Sequence, residues 1–96
     1  MGNRIADSAI HEALSILEAI GPVHWEYQDG FESVLFCVNV PPGTSAIDVE
    51  HRYSPNICST FSRLFPDPSR EFVWQVNFYG DSGSLLGVCV DGRFAS

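Results

Sequence analysis

Ninety-six residues make a single domain, too short for two independent cores yet long enough to bury about two thirds of the unfolded chain's surface. Apolar residues at 45% and charged residues at 18% are ordinary globular usage, which excludes wholesale disorder. Twelve acids against five bases, all five of them arginine, give a net charge of −7, which excludes a conventional DNA or RNA binder and points to partners with basic surfaces.

From Arg4 to Ile20 the apolar residues Ile5, Ala9, Ile10, Ala13, Leu17 and Ile20 fall on one half of a helical wheel. Asp7, His11, Glu12, Ser15 and Glu18 fall on the other half. Asn3 or Asp7 caps the start, and Gly21-Pro22 ends the helix with a left-handed position and a residue that cannot continue it.

Val23, Trp25 and Tyr27 then alternate with polar residues up to Asp29-Gly30, a pair favoured in two-residue hairpin turns. That turn sets Trp25 opposite Val34 and Val23 opposite Phe36, so the tryptophan is expected in the core. Pro41-Pro42-Gly43 breaks the second strand. Over Ala46–Tyr53 the alternation of Ile47, Val49, His51 and Tyr53 favours a third strand, with a short helix capped by Thr44 or Ser45 as the alternative. Ser54-Pro55 reads as an N-cap followed by proline in the first turn, opening a helix to about Phe65 that Pro66 and Pro68 terminate.

The second hairpin puts Phe72, Trp74, Val76 and Phe78 on one face. A three-residue loop at Asp81-Ser82-Gly83, with Gly83 left-handed, would set Phe78 opposite Leu86, Val76 opposite Val88 and Trp74 opposite Val90. A four-residue loop would turn Gly87 and Asp91 to that aromatic face instead; burial favours the shorter loop.

The fold class expected is therefore α+β: a single domain of order α-β-β-(β)-α-β-β, with a four- or five-stranded mainly antiparallel sheet and two helices packed on one face. It spans residues 1–96 as two pseudo-repeat halves, 3–40 and 54–92, linked by 41–53. Leu35, Cys37, Gln75, Asn77, Tyr79 and Cys89 are left on the opposite sheet face, a mixed surface suited to an interface.

Chemistry-bearing motifs are sparse. Three cysteines without CxxC spacing read as reduced thiols, and neither a membrane-length apolar run nor a signal peptide occurs, so a cytoplasmic location is expected. Cys58, early in the Ser54 helix and seven residues after His51, is the one candidate for a thiol enzyme, through a helix-dipole-activated thiolate. Its spacing with Phe61 and Phe65 favours a buried core thiol instead. Neither Asp7 with His11 nor His24 with Glu26 has convergent ligands beside it, so no metal and no cofactor is expected. Gly80-Asp81-Ser82-Gly83 joins two strands and opens no helix, which removes the dipole a phosphate cradle needs.

Charge and size favour a non-enzymatic interaction module, an inhibitor or adaptor whose candidate binding residues are the scattered acids Asp7, Glu12, Glu18, Asp29, Glu32, Asp48 and Glu50, with His11. The partner expected is a protein with a basic surface, such as a nucleic-acid-binding complex, with no direct nucleic acid and no membrane; the chain itself would be a monomer or a homodimer. In size and charge the chain is similar to phage-encoded anti-defence proteins such as anti-CRISPR inhibitors, some of which occupy nucleic-acid grooves; the similarity implies an inhibitor. Read with the third strand, the element order resembles the type III secretion chaperone fold, which implies a homodimeric binding module, although that pattern's final helix is missing here.

Overall fold

The computed structural model describes residues 7–28, 32–66 and 73–95. Helix α1, Asp7–Glu18, turns Ile10, Ala13 and Leu17 inward as its periodicity requires. It ends where the Gly21 N–H and the Ile20 N–H both return to the Leu17 carbonyl. Gly21 is not left-handed; its need for glycine is steric, because a Cβ there would overlap the Asn39 carbonyl oxygen at the end of the second strand.

Strands β1 (Val23–Gln28) and β2 (Ser33–Asn39) pair antiparallel, with Trp25 opposite Phe36 and Tyr27 opposite Val34. This register differs by two residues from the one a two-residue Asp29-Gly30 turn would set; that turn lies outside the described residues. A two-residue shift keeps every side chain on its expected face. The expected burial of Trp25 does not survive, however, because β1 is an edge strand: Trp25 is 36% exposed while its neighbour Phe36 is fully buried.

The segment 46–53 is helical, not a strand. Ser45 caps α2 (Ala46–Asp48) through a reciprocal pair: the Asp48 N–H donates to Ser45 Oγ and the Ser45 N–H donates to the Asp48 carboxylate, both at 3.1 Å. A wide π-type turn, Val49–Tyr53, carries the backbone on to α3, Ser54–Leu64, with the Ser54 N–H reaching back five residues to the Val49 carbonyl. Ser54-Pro55 therefore lies inside a helical run and does not start one. The wider turn is where a proline without an N–H is accommodated, and Ser54 Oγ donates to the Glu50 carbonyl at 2.9 Å. Val49, Tyr53, Ile57, Phe61 and Phe65 recur every fourth residue along this run, and all but the half-buried Tyr53 are buried in the core.

The long helical run is the crossover that lets β2 pair in parallel with β3, Trp74–Tyr79. Strands β4 (Leu85–Val90) and β5 (Arg93–Ala95) follow antiparallel, giving a five-stranded mixed sheet in the order β1-β2-β3-β4-β5. The short fifth strand, not anticipated from the sequence, is folded back by Asp91-Gly92, both at positive φ (48° and 87°) as a two-residue hairpin turn demands.

At the β3–β4 turn the three-residue loop forms, with the Gly80 N–H bonded to the Ser84 carbonyl and Gly83 left-handed at φ 79°. An irregularity next to it then slips the register, so that Phe78 faces Gly87 and Val76 faces Cys89 in place of the expected Leu86 and Val88. The slip exchanges faces: Cys89 points into the core, fully buried, and Val88 and Val90 point outward. Small side chains suit β4's inward face because α3 lies close above it. Cys89 Sγ touches Cys58 Sγ at 3.4 Å, and the Phe94 ring sits where a Cβ on Gly87 would be, 2.6 Å away.

The core lies between the helices and the central strands. Phe61 of α3 meets Phe36 of β2 and Trp74 of β3 edge-on, at centroid separations of 5.6 and 5.3 Å. Around these rings Val34, Val38, Val76, Phe78, Ile10 and Leu17 are all buried.

Candidate interaction surface

The acidic residues singled out on the first helix all reach the surface. Asp7, His11, Glu12 and Glu18 are all exposed on α1, which has no basic residue in its last turn. Asp7 begins the helix, and its Oδ1 accepts a 2.8 Å hydrogen bond from Tyr27 Oη on β1. Tyr27 in turn meets the indole of Trp25 edge-on, rings 5.0 Å apart at 81°. Acid, phenol and exposed indole thus form a linked series along the α1 side of the edge strand. The described arginines, Arg52, Arg63 and Arg93, sit on the π turn, α3 and β5, leaving α1 and β1 without a permanent positive charge among the described residues.

The other acids divide by role. Glu32 is exposed just before β2, Glu50 is exposed on the π turn, and Asp29 lies outside the described residues. Asp48 serves the helix: hydrogen bonds from the Ser45 backbone and side chain, aided by Arg52, hold its carboxyl below the usual aspartate range.

Leu35, Cys37, Gln75, Asn77 and Tyr79 share the sheet face turned away from the helices, all of them half-buried. The register joins them in rows across the strands: Leu35 is level with Gln75, Cys37 with Asn77, and Asn39 with Tyr79. A polar line runs through the middle, with Gln75 Nε2 donating to Asn77 Oδ1 at 2.7 Å and Asn77 Nδ2 to Tyr79 Oη at 3.3 Å. Burial and the nearby Glu26 push the Cys37 thiol up, against a hydrogen bond from Tyr79 that lowers it.

Cys58 is placed differently from the expectation that made it a candidate nucleophile. The helical run starts at Ser45, so Cys58 stands well inside it and away from any N-terminal dipole. Its thiol lies against Cys89, whose own thiol burial and the neighbouring Cys58 push up strongly. His51 is exposed, and among the described residues no hydrogen bond joins it to Cys58. No three His, Cys, Asp or Glu side chains among the described residues converge as metal ligands would. No described helix is long and apolar enough to cross a membrane.

Trp25 is the surface residue that sequence reasoning missed, with the half-buried Tyr27 beside it. Their alternation is that of a buried strand face, and only the strand order reveals that β1 is an edge. No protein-family model, curated protein or solved structure significantly matches the chain.

Proposed function

We propose that this chain is a non-enzymatic binding module that captures an arginine-bearing basic surface of a larger protein on the acidic face of α1 and the Trp25–Tyr27 pair beside it. The observation that carries the reading is Trp25, an indole 36% exposed and linked through Tyr27 to the carboxylate of Asp7. Tryptophan is prominent among residues that dominate protein–protein binding energy, and an indole face is the best aromatic seat for a guanidinium. The exposed Glu12 and Glu18 of α1 supply further negative charge that steers a basic partner. A basic patch that ordinarily holds nucleic-acid phosphates is the partner such a surface fits, and occupying it would make the module an inhibitor by competition.

Affinity capture with the full chain as bait, read by quantitative mass spectrometry, tests this. The wild-type bait is expected to enrich a basic or nucleic-acid-binding complex, and the Glu12→Arg/Glu18→Arg bait to lose most of it at low salt. Equal recovery by both baits would remove the electrostatic basis of the proposal.

A further inference from the structure

The sheet face away from the helices is chemically symmetric about its middle strand. Following the register from β1 to β5, one row reads Glu26, Leu35, Gln75, Val90, Arg93: acid, apolar, amide, apolar, base. The next row reads His24, Cys37, Asn77, Val88, Ala95, again with an amide at the centre and small apolar groups on either side of it. Leu35, Cys37, Val88 and Val90 are all half-buried and lie outside both the core and the partly buried residues packed against it. The glutamate and the arginine stand on opposite edges of the sheet, four strand spacings or about 19 Å apart, too far to pair within one chain.

We infer that this face binds a second copy of the chain, face to face, about a two-fold axis running along β3. Such a rotation keeps each row level and reverses it. Glu26 then meets Arg93 of the second copy, Leu35 meets Val90 of the second copy, and the central amides Gln75 and Asn77 meet their own counterparts. In the first row every contact is complementary, with opposite charges at both rims, apolar groups next to them and an amide on the axis; in the second, Cys37 meets Val88, Asn77 meets its counterpart, and His24 meets Ala95. An amide carries both a donor and an acceptor, so it pairs with its own image. The Gln75–Asn77–Tyr79 hydrogen bonds already satisfy part of this polar line within each copy, which lowers the cost of removing water from it. An aligned pair of sheets is also the ordinary way two such faces pack. With a face of about 19 by 20 Å, about 400 Å² per copy, the interface falls below the standard size of specific ones, so weak, transient association is expected. The inference is independent of the α1–Trp25 surface, which lies on the other side of the sheet and would be displayed twice by the dimer.

The test is sedimentation equilibrium of the full chain from about 5 to 300 μM, with circular dichroism confirming that each variant folds. The wild type is expected to approach twice its monomer mass of 10.6 kDa. Glu26→Arg and Arg93→Glu, each placing two like-charged pairs at the rims, should each weaken dimerisation at least about tenfold. The double variant Glu26→Arg/Arg93→Glu should recover it; because the two positions are on opposite edges of one sheet, recovery reports pairing between chains. Gln75→Asp, which sets two carboxylates against each other on the axis, should leave a monomer. A wild type that stays monomeric across this range overturns the inference. So does a dimer that all the single variants leave intact, or a double variant no better than the singles.

Discussion

Trp25 and Trp74 occupy matching places in two similar halves, each an inward-facing residue of the first strand of a hairpin, and the fold treats them oppositely. Trp74 is fully buried against Phe61, while Trp25 is 36% exposed and rests on Tyr27. The difference is one of strand position. Trp74 lies on β3 at the centre of the sheet, with α3 packed above it, whereas Trp25 lies on β1 at the edge. Alternation along a strand chooses a face; whether that face is covered is decided by neighbours distant in sequence. One tryptophan is thereby built into the core and the other left at the surface.

The largest expected effect separates the two residues directly. Trp74→Ala should cost about 3–5 kcal/mol in urea unfolding, as for other large-to-small core changes, whereas Trp25→Ala should cost under about 1.5 kcal/mol. Comparable losses would break the comparison. Trp74→Phe is expected to be mild, because the indole N–H it removes has no acceptor among the described residues.

The second edge sharpens the same point. Phe94 on β5 covers the space above Gly87, so Gly87→Ala should destabilise by about 1–3 kcal/mol through overpacking. In a Phe94→Ala background the same change should cost much less, and additivity of the two would show that the ring does not occupy that space.

The crossover that makes β3 central begins at the Ser45 cap. Ser45→Ala should cost about 1 kcal/mol, read as a lowered Tm. Smallest is the pH dependence of the same cap. The Asp48 carboxyl titrates lower when folded than when unfolded, so its contribution is fully present above the ordinary aspartate range and is lost as pH falls through the depressed value. The Tm gap between wild type and Asp48→Ala should therefore be constant near neutrality and narrow in acid; a gap that widens in acid would contradict the cap.

Element types were legible in the sequence wherever local chemistry decides them. The amphipathic Asp7–Glu18 helix, the strand faces of β1 to β3 and the Asp81–Gly83 loop follow from periodicity and turn residues. The 46–53 segment was ambiguous at period two, yet the every-fourth-residue series from Val49 to Phe65 runs straight through it into α3; a longer window favours the helix. The β4 register was illegible, since the irregularity between Phe78 and Tyr79 slips it by one residue and no turn residue marks it; its result sets Gly87 beneath Phe94. The same Asp-Gly pairing that marks the first hairpin also marks the β4–β5 turn, but only four residues follow it. Of the candidate surfaces, the acids of α1 and the β2 and β3 part of the open sheet face could be read in advance, whereas its β4 part, Val88 and Val90 in place of Cys89, could not. Trp25 could not, because an edge strand exists only once strand order is known.

The most direct test follows the fluorescence of Trp25 alone, in the Trp74→Phe variant, under acrylamide quenching with and without the basic protein recovered by affinity capture. Trp25 is expected to be readily quenched in the free chain and several-fold less so in the complex. An indole already shielded in the free chain, or one that stays equally open in the complex, would contradict the claim that this tryptophan is held at the surface for binding.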